Sequence, residues 1–205
     1  MTTLTLRERY ERIAPFYDLL DYPFEQKRYR HIRPQLFAGL GGRILDAGLG
    51  TGRNIAYYPQ GADVTGVDLS PAMLARARQR ATSAGREVDL RLMDVTKLDA
   101  PDNSFDAAVA SFLFCVMPDD LQPDALREIR RVVKPGGTLR LLEYVRPNGA
   151  FRGFVARLWE PWMAWAYGAG FDRRTEAHLR EAGMEIVEAR FVVGDLIKMI
   201  TVRVK

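Results

Sequence analysis

Three glycines separated by single residues form the most informative loop of the sequence, Gly-Leu-Gly-Thr-Gly at 48–52, and the acid Asp46 lies two residues before it. Glycines let a backbone turn tightly and approach a ligand closely. A second acid, Asp68, ends the next apolar run, where a carboxylate can accept both hydroxyls of a ribose. The loop lacks the last glycine of the dinucleotide fingerprint, because Arg53 stands there. These residues therefore predict a nucleoside-like ligand without a pyrophosphate.

Short apolar runs surround these residues and would position them at one edge of a sheet. They predict strands at Arg43–Ala47, Asp63–Val67, Val88–Met93, Phe105–Ser111 and Thr138–Glu143. Helical segments lie between the strands, which is typical of a parallel, doubly wound α/β sheet. Two further strands, Glu185–Val192 and Lys198–Val204, flank a turn at Gly194 and predict an antiparallel hairpin at the sheet edge. We therefore expect seven strands that are parallel except for one in the C-terminal hairpin.

Capping residues predict where the helices between the strands begin and end. Ser70 and Pro71 supply an N-cap and a first-turn proline for a helix after the second strand. Leu121–Val133 has one apolar face and ends before Lys-Pro-Gly-Gly at 134–137. A third helix, Arg53–Tyr58, is predicted directly after the glycine loop.

The composition is that of a globular protein, with 205 residues of which 47% are apolar and 27% charged. We expect a single domain, 1–205, in which an N-terminal helical cap, 1–40, and an aromatic and basic lid, 146–180, cover the sheet.

A net charge of +4 permits contact with phosphates or anionic lipids without establishing it. The N-terminus lacks an apolar signal core and Cys115 is the single cysteine, so we expect a cytoplasmic protein without disulfides or a zinc framework.

Taken together, these motifs resemble those of the class I S-adenosylmethionine-dependent methyltransferases, whose sheet is Rossmann-like. The matching segments cover roughly half of the chain in the expected order, and they are Asp46–Gly52, Val67–Leu74, Asp94, Asp102–Asp106 and Leu126–Gly137. The resemblance implies S-adenosyl-L-methionine as the cofactor and S-adenosyl-L-homocysteine as its product. One departure is Leu49, where many relatives have a smaller or polar residue.

The resemblance also implies how the cofactor is held. Asp46 would lie near its amino group, Asp68 would accept from the ribose hydroxyls, and Asp94 would accept from the adenine amine. Ser111 and Phe112 would lie near the methyl-bearing sulfur, and apolar members of the set would pack on the adenine. The expected cofactor-binding residues are Tyr17, Asp46, Gly48, Gly50, Thr51, Gly52, Asn54, Asp68, Leu69, Ser70, Met73, Asp94, Val95, Ser111 and Phe112.

The methyl acceptor is harder to predict, because methyl transfer depends on alignment more than on a fixed catalytic triad. The segment Tyr10–Asp18 resembles the entry motif of quinone-biosynthesis C-methyltransferases and of bacterial phosphatidylethanolamine N-methyltransferases. Leu6, Tyr10 and Ile13 share one helical face, as in membrane-surface helices or in a helix packed on its own domain. All the tryptophans lie within Trp159–Trp165, close to arginines. A cluster of tryptophan and arginine is likewise typical of a membrane surface.

We therefore expect a lipid-like acceptor and peripheral contact with an anionic membrane, and N-methylation of phosphatidylethanolamine is the leading hypothesis. C-methylation of a ubiquinone or menaquinone precursor stays open. So does S-methylation of a small thiol, because Phe114–Pro118 and Leu142–Val145 resemble membrane-associated thiol methyltransferases. A non-enzymatic cofactor-binding module is the remaining alternative.

An amine acceptor must lose a proton before it attacks, and Glu143 and Tyr22 are the candidate catalytic residues. Glu143 ends the fifth predicted strand on the ligand side, and Tyr22 lies in the N-terminal cap. No metal site is predicted, because the two histidines are isolated from each other and from acid clusters. No nucleic-acid partner is expected, because no recognised RNA-binding module accompanies the arginines at 28, 30 and 33.

Overall fold

Seven strands form one sheet in the computed structural model, which describes residues 5–147 and 173–205 together with residues 149, 157–158, 160 and 170. The strands are β1 (Arg43–Ala47), β2 (Asp63–Asp68), β3 (Asp89–Leu92), β4 (Phe105–Ser111), β5 (Val133–Tyr144), β6 (Glu185–Val193) and β7 (Ile197–Arg203). Their order is β3-β2-β1-β4-β5-β7-β6, and β7 runs antiparallel to both of its neighbours. The predicted sheet, with one reversed strand in the C-terminal hairpin, is confirmed.

Helices cover both faces of the sheet. They are α1 (Leu6–Phe24), α2 (Arg30–Phe37), α3 (Pro71–Ser83), α4 (Gln122–Val132) and α5 (Thr175–Glu181), and a π-helical stretch, Glu25–Tyr29, joins α1 to α2. Helices α2 and α3 pack with Ile44 and Val109 on one face, whereas α4 and α5 pack with Leu45 and Ala108 on the other. The sheet is therefore doubly wound, and the loops after its parallel strands share one edge.

Two of the predicted helices are confirmed and one is wrong. The Ser70 hydroxyl accepts from the Met73 amide at 3.2 Å and caps α3, and α4 ends at the predicted place. The segment Arg53–Tyr58 forms only a single 3-10 turn at Ile55–Tyr57. Its length is limited because Pro59 disfavours the helical region for the residue before it, and Tyr58 accordingly has ψ of 136°.

The two regions that were expected to cover the sheet differ in what the structure describes. The helices α1 and α2 account for most of the N-terminal region 1–40. Most of the predicted lid, 146–180, including Trp159, Trp162 and Trp165, lies outside the described residues. Within the described part of the chain, no helix has the length and apolar character needed to cross a membrane.

Candidate active site

An open cavity of about 910 Å³, a volume that includes solvent at its mouth, lies at the carboxyl ends of the parallel strands. Its walls come from the loops after β1 to β4 and from α1. Most of the predicted cofactor-binding residues line it, namely Tyr17, Gly48, Gly50, Asp68, Leu69, Ser70, Met73, Asp94, Val95, Ser111 and Phe112. The other four, Asp46, Thr51, Gly52 and Asn54, are not among its lining residues.

The glycine loop turns sharply at the end of β1 because its glycines adopt left-handed backbone angles, with φ of 67° at Gly48 and 58° at Gly50. The Gly48 amide donates to the Val67 carbonyl at 2.9 Å, which holds the loop against the end of β2. A Cβ atom on Gly48 would lie 2.7 Å from the Leu113 side chain. The turn therefore requires glycine both for its backbone angle and for its packing.

Asp68 ends β2 and connects two loops that face the cavity. Its Oδ2 accepts from the Gly50 amide and its Oδ1 from the Ser70 amide, both at 2.9 Å. Burial raises the pKa of Asp68, although these backbone donors oppose the rise. Each carboxylate oxygen has a second lone pair, so Asp68 can still accept hydrogen bonds from a ligand in the cavity. This placement supports the predicted contact with ribose hydroxyls.

Asp94 is an exposed residue at the cavity mouth, two positions after the end of β3. Its Oδ1 accepts from the Thr96 amide at 2.9 Å and from the Thr96 hydroxyl at 2.7 Å. These two bonds hold the carboxylate in one orientation. The next residue, Val95, is buried and lines the cavity beside it. An acceptor next to an apolar side chain suits a flat, amine-bearing ring such as adenine.

Asp46, predicted near the cofactor's amino group, is fully buried and lies behind the cavity wall. It accepts hydrogen bonds from the Tyr58 hydroxyl at 2.7 Å and from the Asn54 amide at 3.0 Å. Burial raises the pKa of Asp46 to about 6 against the effect of these donors. The Asn54 amide also donates to the Ser111 hydroxyl at 3.0 Å. Asp46 therefore orients Asn54, and Ser111 is the member of this group that reaches the cavity.

Arg33 belongs to the group behind the cavity wall, unlike Arg28 and Arg30 nearby in the sequence. It is only 5% exposed, whereas the other two are exposed. Its guanidinium pairs with the buried Glu25 at 3.2 Å and donates to the Asn54 Oδ1 at 2.6 Å. The sequence carries no signal for this burial, because the partners of Arg33 lie on other elements.

Phe112 follows β4 directly and has φ of 58°, which is rare for a bulky residue. Its amide donates to the Leu142 carbonyl at 2.7 Å, and its ring packs against Tyr29 and Tyr144 with centroids 4.9 and 5.3 Å away. The hydroxyls of these two tyrosines hydrogen-bond to each other. The surrounding contacts enforce a strained backbone that places an aromatic ring in the cavity wall next to Ser111. Phe112 is among the residues predicted from the sequence, whereas Tyr29 and Tyr144 are not.

Helix α1 forms another wall of the cavity, to which Leu6, Tyr10 and Tyr17 contribute. The stripe of Leu6, Tyr10 and Ile13 was compatible with a membrane-facing or a domain-facing helix. All three residues are half-buried, and two of them line the cavity. The stripe is therefore domain-facing.

Two acids attach α1 to the ligand-binding loops. Glu11 accepts from the Ser70 hydroxyl at 2.9 Å. Asp18 accepts from the Thr51 hydroxyl at 2.8 Å and pairs with Arg80 at 2.9 Å. Burial acts to raise the pKa of Asp18, but the Thr51 hydroxyl and the nearby arginines lower it overall. Thr51, a predicted cofactor-binding residue, thus contacts α1 in this structure.

The two predicted catalytic residues lie away from the cavity lining. Glu143 is 3% exposed, and its Oε1 and Oε2 accept from the amides of Phe114 and Cys115 at 3.0 and 2.9 Å. Tyr22 is 56% exposed on α1. The contacts of Glu143 hold the loop after β4, and the proton-accepting roles of both residues stay predictions.

Comparisons with known proteins identify the relatives of this chain. A family described as a methyltransferase domain matches residues 44–137. The chain is 35% identical over 154 residues to phosphatidylethanolamine N-methyltransferase from Cereibacter sphaeroides, with 72% of each chain covered. It is 37% identical over 158 residues to demethylmenaquinone methyltransferase from Thermus thermophilus, with 73% of this chain and 70% of the relative covered. The crystal structure of the cyclase SpnF shares the fold, with a TM-score of 0.76 and 21% identity over 99% of this chain and 98% of that one.

Proposed function

The chain belongs to the class I S-adenosylmethionine-dependent methyltransferases, and we propose that it transfers methyl groups to the amine of phosphatidylethanolamine at a membrane surface. The observation that carries this acceptor is the likeness to the Cereibacter N-methyltransferase, which extends over 72% of each chain. The cofactor is S-adenosyl-L-methionine, which supplies a methyl group on a positively charged sulfur. The protein's own contribution is to hold donor and acceptor in line and to exclude water.

The cavity supports a specific set of cofactor contacts. Asp68 would bind the ribose hydroxyls, because its bonds to Gly50 and Ser70 already fix the orientation of its carboxylate. Asp94 would accept from the adenine amine at the cavity mouth. Met73, which is 1% exposed and lines the cavity, would pack on the adenine. These acids would accept hydrogen bonds from hydroxyl and amine groups, whereas they would repel a phosphate.

The acceptor would enter beside an aromatic wall. Tyr10, Tyr17 and Phe112 line the cavity, and the rings of the two tyrosines are 6.3 Å apart. Aromatic faces attract ammonium groups, including methylated ones. The amine must still lose a proton before each transfer, and the hypothesis that Glu143 or Tyr22 receives it is part of this proposal.

C-methylation of a quinone precursor is the second candidate. The Thermus demethylmenaquinone methyltransferase is 37% identical to this chain. A flat ring would stack on Phe112 as readily as an ammonium group would contact it. The aromatic wall therefore favours both acceptors over a polar metabolite.

Methyl-labelled cofactor separates these acceptors. The purified protein would be incubated with vesicles that contain phosphatidylethanolamine, with vesicles that contain demethylmenaquinone, and with a soluble alkyl thiol. We expect label in methylated phosphatidylethanolamine, loss of label in Asp68→Ala, and full labelling in Val187→Ser, a control on the exposed strand β6. Label in the quinone alone would favour the second candidate. Cofactor binding without labelled phosphatidylethanolamine would overturn the proposal.

A further inference from the structure

The buried side chain of Arg33 contacts the back of the cavity wall at two residues whose front faces the cavity. Its Nη1 atom lies 3.4 Å from the Ser111 hydroxyl oxygen. Its guanidinium carbon lies 5.8 Å from the ring centroid of Phe112, within the range of a cation–π contact. Ser111 and Phe112 line the cavity, whereas Arg33 lies behind it. Arg33 is therefore placed to act on a ligand through these two residues.

The side-chain amide of Asn54 has one fixed orientation behind the same wall. Its Oδ1 is 2.6 Å from the Nη1 atom of Arg33, which can only donate. Its Nδ2 is 3.0 Å from a carboxylate oxygen of Asp46, which only accepts when it is ionised. Both contacts require the same assignment of oxygen and nitrogen. The Asn54 Nδ2, which lies 3.0 Å from the Ser111 hydroxyl oxygen, must therefore donate to that hydroxyl.

These donors determine which way the Ser111 hydroxyl can point. A serine hydroxyl has one hydrogen to donate and two lone pairs that accept. Asn54 and Arg33 both direct N–H groups at its oxygen, and these groups cannot accept its hydrogen. No other residue in the described part of the chain forms a hydrogen bond with this hydroxyl. Because Ser111 lines the cavity, its hydrogen is directed toward an acceptor atom of a ligand there.

The order of the strands indicates which part of the cofactor would meet this donor. Along the edge of the sheet the strands β3, β2, β1 and β4 are neighbours, and they lead to Asp94, Asp68, Gly48 and Ser111. Adjacent strands are about 4.8 Å apart, so Ser111 is about 10 Å from Asp68 along this edge. With the ribose at Asp68, the amino-acid part of the cofactor would extend past Gly48 toward Ser111. The carboxylate of that part is its strongest acceptor.

We propose that Ser111 donates a hydrogen bond to the carboxylate of the cofactor, and that Arg33 is a positioning residue that acts through Asn54 and Ser111. The inference rests on the cofactor in the proposed function and adds a contact and its buried support. Arg33 fixes the Asn54 amide and polarises the hydroxyl, because hydrogen bonds in a chain strengthen one another where water is excluded. Glu25, which pairs with Arg33 at 3.2 Å, holds the guanidinium in place.

Two related ligands test the contact by calorimetry. S-adenosylhomocysteine carries the amino-acid part, whereas methylthioadenosine has the same nucleoside and a sulfur but no carboxylate. We expect Ser111→Ala to weaken S-adenosylhomocysteine binding by about tenfold and to leave methylthioadenosine binding unchanged. Ser83→Ala, a control that removes an exposed hydroxyl from α3, should change neither affinity. Equal effects of Ser111→Ala on both ligands, or no effect on either, would overturn the contact.

A double-mutant cycle tests the role of Arg33. Arg33→Met is combined with Glu25→Gln, so that no buried carboxylate loses its partner. The pair should weaken S-adenosylhomocysteine binding several-fold, leave methylthioadenosine binding unchanged, and have no further effect when Ser111→Ala is present. Arg33→Lys, which keeps the charge but offers a single nitrogen, should show the same selective loss.

Equal losses for both ligands, or losses that add to that of Ser111→Ala, would overturn the positioning role, because a merely structural defect does not distinguish the two ligands. Neither ligand includes a methyl acceptor. Both outcomes are therefore independent of which acceptor the enzyme methylates.

Discussion

Glu143→Gln is expected to change how the stability of the protein depends on pH. The carboxylate is buried against the Phe114 and Cys115 amides, and burial raises its pKa from 4.5 to about 7 although these amides oppose the rise. Below about pH 4.5 the side chain is protonated in the folded and unfolded states alike. As the pH rises toward 7, the unfolded chain releases its proton while the folded protein keeps it, so the free energy of unfolding falls.

The size of this loss follows from the interval between the two pKa values. An interval of about 2.5 pH units, at about 1.4 kcal/mol for each, corresponds to a total loss of about 3.5 kcal/mol, most of which falls between pH 4.5 and 7. Glutamine does not ionise, so Glu143→Gln lacks this loss. The variant starts less stable at acid pH, because its amide turns an N–H group toward a backbone N–H. The stability gap between the two proteins should therefore narrow as the pH rises.

Urea denaturation followed by circular dichroism, at several pH values from about 4.5 to 7.5, would measure both proteins. Asp21 and Asp46, whose pKa values burial also raises to about 6, titrate in both proteins and cancel in the difference. The difference then reports Glu143 alone. Stability curves that stay parallel across this range would refute the reasoning.

Three further predictions concern the cavity and its walls. Asp68→Ala should weaken S-adenosylhomocysteine binding by about tenfold to a hundredfold in calorimetry, and unchanged affinity would place the ribose elsewhere. Gly66→Ala should destabilise the protein by about 1–3 kcal/mol, because the new Cβ would lie 2.8 Å from the Leu49 side chain. In urea denaturation that cost should shrink in a Leu49→Ala background, whereas strict additivity would contradict the contact. Asp18→Ala should weaken cofactor binding several-fold by releasing α1, and wild-type affinity would show that α1 does not close the cavity.

Much of the cofactor site could be predicted from the sequence, because its signals are local. The glycine loop, the Ser70 cap and the acid that ends β2 each depend on a few neighbouring residues. The exception is Arg53–Tyr58, where Pro59 limits the helix to a single turn. Leu49, the one departure from the family pattern, is accommodated because the residue opposite it on β2 is Gly66.

The support behind the cavity wall could not be predicted in this way. Asp46 is fully buried and holds Asn54, and Arg33 pairs with Glu25 in the interior. A charged residue is normally solvated, and only partners on other elements make its burial favourable. The same holds for Phe112, whose left-handed backbone is enforced by its packing contacts.

The sequence by itself determined the doubly wound sheet, the family and the cofactor, because alternating periodicities, glycines and helix caps act over short distances along the chain. The tertiary structure decided which side of α1 faces outward. That helix carries two apolar stripes, Leu6 to Ile13 and Phe16 to Pro23, and periodicity describes both equally well. Ser70 contacts Glu11, and Thr51 and Arg80 contact Asp18. These contacts orient the helix so that the first stripe faces the domain and the second stays exposed.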